Sequence, residues 1–183
     1  MKPQDSEREE HILHLYDCYA AKLQSYAATL VRDETIAQDA VQEVFLRYAL
    51  MIREGRPVSA PKAWLYRVLR NYVLDLMKAA HVKNEIGMDQ MPEKVDGTED
   101  PEQQYASAEL SRQLLNSLTP RELDCLRLRS HGLRYHEIAS VLSIRPGTVA
   151  ALLSRCSTRV QQILEPESAD NSGQDAAKDR YAS

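Results

Sequence analysis

Bulky aromatic hydrocarbon is nearly missing from this chain, whose 183 residues include one Phe and one Trp. Nine Tyr stand in their place and mean hydropathy is −0.48, so the core must be aliphatic and each folding unit modest. No stretch approaches the ~20 consecutive apolar residues that span a bilayer. The opening Met1-Lys2-Pro3-Gln4-Asp5-Ser6-Glu7 also lacks the basic-then-apolar pattern of a secretory leader, so a cytoplasmic location without membrane insertion is expected. Cys18, Cys125 and Cys156 form an odd, widely spaced set with no CxxC, which argues against a disulfide framework or zinc finger. A Gly-rich phosphate loop, a Ser or Cys nucleophile signature and a carboxylate pair beside an apolar pocket are all lacking. The chain is therefore not expected to be an enzyme or to need a cofactor or metal.

What is present is charge, and it is unevenly spread. The net charge of −4 conceals blocks of −3 (residues 1–61), +4 (62–83), −6 (84–113), +4 (119–164) and −3 (165–183). Phosphate binding depends on where Lys and Arg sit rather than on the total, so the two basic islands are candidate DNA surfaces despite the acidic sum. Solvated helix faces are the plainer explanation of the same blocks.

Hydrophobic periodicity is helical almost throughout. Ile12, Leu15, Tyr16, Tyr19, Leu23, Tyr26, Ala27 and Leu30 step by threes and fours. Asp33 is placed to cap a second helix striped by Ile36, Ala37, Ala40, Val41, Val44, Phe45, Tyr48 and Ile52. Gly55 to Ser59 breaks it. A third helix starts near Pro61 with Trp64, Leu65, Val68, Leu69, Tyr72, Val73 and Leu76 on its apolar side. Trp64 and Tyr72 are tempting base-stacking aromatics, but their place on the apolar stripe makes them core. No window alternates with period two, so the expected fold is all-α: two small helical domains joined by an acidic linker.

The domains divide as 1–83, a linker at 84–101 rich in Gly, Pro and acids, a second unit at 102–165, and a tail at 166–183 with few large apolar residues. Helicity resumes near Glu102. Thr119-Pro120-Arg121-Glu122 is a helix start in which Thr caps and Glu reaches back to the cap amide. The segment from Tyr135 to Arg155 then has helix-turn-helix spacing. Ile138, Ala139 and Leu142 face inward, Ile144 fills the turn, and Val149 and Leu153 return the second helix to the core. Its exposed positions would be Arg145, Gly147 and Thr148, then Ala151 and Leu152, with Arg155 a turn further on. A generic αα-hairpin has similar spacing.

These motifs together resemble a known family. Leu118-Thr119-Pro120-Arg121-Glu122, followed by Glu137-Ile138-Ala139 and Gly147-Thr148-Val149, is similar to the fourth domain of bacterial RNA polymerase sigma factors. Asp39-Ala40-Val41-Gln42-Glu43-Val44-Phe45-Leu46-Arg47 resembles the polymerase-binding helix of sigma domain two, and the run from Ala63 to Asp75 its promoter-melting helix. Two domains and a short linker are the pattern of the extracytoplasmic-function group, and the likeness extends over about residues 10–164.

The resemblance implies core RNA polymerase, promoter DNA and an anti-sigma factor as partners. It assigns polymerase binding to Asp39, Gln42, Glu43 and Arg47, a polar ridge at i, i+3, i+4 and i+8. It assigns the minus-ten strand to Arg67, Arg70, Asn71 and Lys78 on the third helix, with the loop from Gly55 to Ala60. The minus-thirty-five element falls to Arg145, Gly147, Thr148, Ala151, Leu152 and Arg155. The chain departs from the family where Ala150 to Leu153 replace the usual cations, and where Arg134 and Arg145 stand at capping positions. That sparse recognition helix supports an alternative, a degenerate sigma-like regulator that binds polymerase or a partner protein without opening promoters. A third possibility is that His11, His14 and Cys18, at i, i+3 and i+7, share a soft metal.

The linker has its own test. Family resemblance places it in the polymerase channel later taken by nascent RNA, where carboxylates would imitate phosphate. Neutralising Glu93, Asp96, Glu99 and Asp100 together is predicted to lower abortive initiation, and deleting several linker residues to lower it further. Normal activity of the charge variant beside loss in the shortened one would instead identify a passive tether.

Overall fold

The computed structural model describes residues 3–31, 33–82 and 112–164; the expected linker at 84–101 and tail at 166–183 lie outside them. Among the described residues the chain is helical, with no strand. Three helices, α1 (Pro3–Val31), α2 (Glu34–Arg53) and α3 (Pro61–Val82), form an N-terminal bundle. After a helical stretch at 112–117, α4 (Pro120–Ser130), α5 (Tyr135–Leu142) and α6 (Pro146–Leu164) form a second unit.

Local chemistry explains the boundaries. Asp33 has extended backbone, and its carboxylate accepts hydrogen bonds from the Thr35 and Ile36 amides at 2.8 and 3.0 Å, which starts α2. Gly55, at φ +71°, follows the end of α2 in a left-handed conformation that side chains rarely adopt. The bundle interior is aliphatic and small, with tyrosine as its bulk. Leu23, Ala27, Ala37, Ala40, Val44, Leu65, Leu69 and Val73 are fully buried around Tyr26, Tyr48 and Tyr66. Trp64 lies against Tyr48 with ring centroids 5.5 Å apart, and Tyr72 lies beneath the Arg47 guanidinium at 5.1 Å, so both aromatics are packed as their stripe suggests.

Three bundle residues depart from the periodic reading. Tyr16 is 44% exposed, because neighbouring Leu15 takes the interior and the Tyr16 ring covers Phe45 from the rim. Leu76 is exposed on a stretch of α3, residues 74–80, that holds no buried side chain. Tyr66, absent from the expected stripe, is fully buried where α3 meets the second unit.

In the second unit the expected capping box is complete. Thr119 accepts from the Glu122 amide, while the Glu122 carboxylate accepts from the Thr119 N–H at 2.9 Å and from its hydroxyl at 2.7 Å. The same carboxylate is 1% exposed and pairs with Arg159 of α6, tying the start of α4 to the far end of the last helix. Hydrogen bonds from Thr119, then Arg159, hold the Glu122 pKa below its ordinary value against the opposing effect of burial. Ala139 lets α5 and α6 cross closely, and Val149, Leu152 and Cys156 close over Cys125, Leu128, Leu133 and Ile138.

The core continues between the two units. His131, following α4, packs edge-on to Tyr26 at 5.4 Å and tilted to Tyr66 at 6.4 Å. Lys62 donates to the Gly132 carbonyl at 2.8 Å and to Glu137 at 3.2 Å, and Arg70 forms an ion pair with Asp124. Burial pushes the Tyr66 hydroxyl up to about 12 and lowers the His131 pKa, so both groups sit neutral at pH 7. The hydroxyls of Tyr26 and Tyr66 and Nε of Arg70 find no hydrogen-bond partner among the described residues, each a cost on the order of 1–3 kcal/mol.

Glu122 is the most exposed of these devices to a simple test. Glu122→Ala is predicted to destabilise the second unit by about 3 kcal/mol at neutral pH, because it strands a half-buried Arg159 and two cap donors. A lowered carboxyl pKa contributes stability above its unfolded value and loses it as pH falls. The gap between wild type and variant should therefore narrow below the ordinary value of 4.5, as read from denaturant midpoints at stepped pH.

Candidate polymerase and promoter interfaces

On α2 the expected ridge points outward as a continuous strip. Asp39, Gln42 and Arg47 are exposed and Glu43 half-exposed, opposite the buried row Ala37, Ala40, Val41, Val44 and Tyr48. Arg47 Nε donates to Glu43 Oε1 at 2.7 Å, and the Arg47 guanidinium rests on the Tyr72 ring. Intra-helix pairing and stacking thus fix the orientation of two ridge residues before any partner arrives. Sequence reading missed two members of the strip. Leu46 is 57% exposed and Leu50 45% exposed, seven and eleven positions beyond Asp39 on the same face. The available signal was two Leu lying off the apolar stripe, which a folding-only pattern has no reason to place there. Apolar side chains beside Glu43 and Arg47 give this face the composition of a protein-docking surface rather than a purely solvated one.

The expected cationic residues of α3 do not share one face. Arg67, Asn71, Leu74 and Lys78 follow i, i+4, i+7 and i+11, with Asn71 and Lys78 exposed and Lys78 paired loosely to Asp75 at 3.4 Å. Arg70 belongs to a second row with Lys62 and Tyr66, at i, i+4 and i+8, and that row faces α4, α5 and the turn between them. Lys62, which the sequence reading left out, is the first cation of this row. Nothing local betrays its role, because its partners lie 70 and 75 residues further along the chain.

The helix-turn-helix is built from α5 and α6, joined through Ser143, Ile144 and Arg145. Ser143 takes a left-handed conformation at φ 55°, and Ile144 packs on the core as its place in the turn suggests. Arg145 caps α6 with its carbonyl only, accepting from the Thr148 and Val149 amides at 2.9 and 3.2 Å, which leaves its side chain exposed. At the start of α5 the Arg134 N–H donates to the Glu137 carboxylate at 2.6 Å, so Glu137 supplies the cap that the Arg134 side chain does not. Burial opposes ionisation of Glu137, but this amide and Lys62 outweigh it and hold its pKa below the usual value.

One expected DNA contact is corrected. Leu152 is 7% exposed, because the inward row of α6 is Val149, Leu152, Leu153 and Cys156. Its side chain is core and cannot reach a base edge. The outward row is Thr148, Ala151 and Arg155, preceded by exposed Arg145 and Gly147, and from Thr148 to Arg155 it extends about 10 Å at 1.5 Å per residue.

The candidate metal trio does not converge: His11 turns to another partner, while His14 and Cys18 face each other. His11 Nε2 lies 3.1 Å from the Tyr48 hydroxyl, His14 Nε2 lies 3.7 Å from Cys18 Sγ, and among the described residues no cluster of three metal-type side chains forms. Nor is any described helix long and apolar enough to cross a membrane.

Comparison with known proteins converges on one family. Residues 15–81 match the family model of Sigma-70 region 2, and residues 109–156 that of Sigma-70, region 4. The chain is 34% identical over 149 residues to the ECF RNA polymerase sigma factor SigL of Mycobacterium tuberculosis, covering 76% of this chain and 80% of that one. Two solved structures share the fold. The sigma factor RpoE in complex with the anti-sigma factor NepR from Bartonella quintana superposes with a TM-score of 0.58 at 19% identity, over 87% of this chain and 97% of that one. CnrH in complex with the cytosolic domain of CnrY gives 0.58 at 20% identity, over 87% and 91%. With both sigma regions in order on one short chain and a relative aligned along most of both lengths, the protein belongs to the extracytoplasmic-function family of RNA polymerase sigma factors, whose general role is transcription initiation.

Proposed function

We propose that this protein binds core RNA polymerase through α2, reads the minus-thirty-five element with α6, and captures the melted minus-ten strand along α3. In this reading residues 1–83 act as sigma domain two, 84–101 as a linker and 102–165 as sigma domain four. The observation that carries it is the α2 face, where Asp39, Gln42, Glu43, Leu46, Arg47 and Leu50 form one outward strip inside the span matched to Sigma-70 region 2. Its mixed charge and exposed Leu suit a partner helix, with Leu46 and Leu50 supplying apolar contact and the carboxylates meeting basic residues. In this reading exposed Arg145 and Thr148 meet base edges and exposed Arg155 meets phosphate, while Asn71 and Lys78, with half-buried Arg67, supply a polar row on α3 for single-stranded DNA. The two structural neighbours were solved with an anti-sigma factor and with the cytosolic domain of CnrY; by analogy an anti-sigma partner is proposed here.

Two experiments bear on separate parts of this reading. Glu43→Lys reverses one charge of the α2 strip and sets it against Arg47, and should weaken competition for core polymerase at least tenfold, about 1.4 kcal/mol, without lowering the unfolding midpoint of the bundle by a comparable amount. Unchanged competition would remove α2 from the interface.

For α6, run-off transcription with core polymerase over a promoter library separates base reading from backbone contact. Arg145→Ala should relax preference at one upstream position and cost about 1–3 kcal/mol there, whereas Arg155→Ala should weaken all promoters alike. Identical sequence profiles for wild type and Arg145→Ala would displace Arg145 from the base-reading position.

A further inference from the structure

We infer that α1 carries half of a tetrahedral zinc site: His14 and Cys18 bind the ion from one copy of the chain, the same pair from a second copy completes it, and the two α1 helices meet antiparallel around it. The proposed polymerase and promoter faces lie on α2, α3 and α6, so this side of α1 has no role in them.

The pair is already spaced for the ion. His14 Nε2 and Cys18 Sγ, one helical turn apart and both exposed, stand 3.7 Å from each other. With Zn–S and Zn–N bonds of about 2.3 and 2.1 Å, the edge joining two such ligands in a tetrahedron is about 3.6 Å long, so zinc enters with little movement of either side chain. Thiolate and imidazole are donors that zinc favours, and the Cys18 thiol sheds its proton to solvent on binding. Cys125 and Cys156 are buried, which leaves Cys18 as the accessible thiol. Two ligands are nevertheless too few, and among the described residues no group of three metal-type side chains forms. A structural zinc takes four, which two identical pairs supply as two Cys and two His.

The ridge around the pair fits a second copy of itself. Glu10, His14, Cys18 and Lys22 are all exposed and follow one another at i, i+4, i+8 and i+12 on α1. When two such ridges run antiparallel with His14 opposite Cys18, the same register sets Glu10 of each copy against Lys22 of the other. The ridge is therefore complementary to itself about its midpoint, as a two-fold interface requires. Parallel pairing would set Glu10 against Glu10 and Lys22 against Lys22, which like charge opposes. Ala21 and Ser25, exposed three and seven positions after Cys18, are small enough to let the helices approach closely. No large apolar side chain stands on the ridge, so burial of hydrocarbon contributes little and the dimer depends on the ion.

The test uses the full chain, stripped of metal by a chelator and kept reduced, with zinc chloride as the added ligand. Sedimentation velocity reads the mass and titration calorimetry the stoichiometry. The expected result is a monomer that becomes a dimer at one zinc per two chains and reverts when chelator is added. Cobalt(II) in place of zinc should give a thiolate-to-metal charge-transfer band and the visible absorption of a tetrahedral ion. His14→Ala and Cys18→Ser, both at exposed positions outside the core, should each lose the zinc-dependent dimer, and Cys18→Ser the charge-transfer band as well. Glu10→Lys places like charges together twice per dimer and should weaken dimerisation about tenfold, and Glu10→Lys/Lys22→Glu should recover it. A chain that stays monomeric with zinc, a monomer that binds one zinc by itself, or a zinc-dependent dimer that persists in Cys18→Ser overturns the inference. So does a double charge variant that dimerises no better than Glu10→Lys, since the antiparallel register would then be wrong.

Discussion

The two helical units are joined by cations of α3 that carboxylates of the second unit satisfy, Lys62 with Glu137 and Arg70 with Asp124. One side of the helix is fastened into the N-terminal bundle by Leu65, Leu69 and Val73. A second row, Lys62, Tyr66 and Arg70, is satisfied by the second helical unit, and a third row of Arg67, Asn71 and Lys78 is left outward. The relative placement of the two units, the burial of His131 and the unpaired tyrosine hydroxyls all follow from how the middle row is satisfied. Charged hydrogen bonds at partly buried positions are specific in geometry, which fixes how the two units meet.

Much of the fold was legible because its causes are local. The Asp33 cap, the Thr119-Glu122 box and the apolar rows of α1 and α2 depend on residues within a turn or two of each other, so periodicity and capping rules locate them. Tyr66 and Lys62 were not legible, since what buries them lies some 65 to 75 residues away. Leu152 shows a finer limit. Val149 and Leu153 were read as the inward pair, yet steps of three and four are both helical, and only the crossing with α4 and α5 decides that Leu152 joins them. At the α2 surface the polar ridge was recognisable but its apolar members Leu46 and Leu50 were not, because a pattern search seeks a core and treats isolated exposed Leu as ordinary.

The recognition helix carries little charge for a DNA reader. Along its outward side stand Arg145, Thr148, Ala151 and Arg155, two cations in all, in a chain of net charge −4. Since phosphate contacts supply most nonspecific affinity, the second helical unit alone should grip DNA weakly.

The central claim, a sigma factor that opens promoters rather than an adaptor that merely binds polymerase, is tested most directly by permanganate probing of thymines across a promoter library incubated with core polymerase and this protein. The account predicts reactive thymines in the minus-ten region of the responsive promoters, appearing only when both components are present and followed there by run-off transcripts. Tight association with core polymerase without a reactive thymine on any promoter would contradict it.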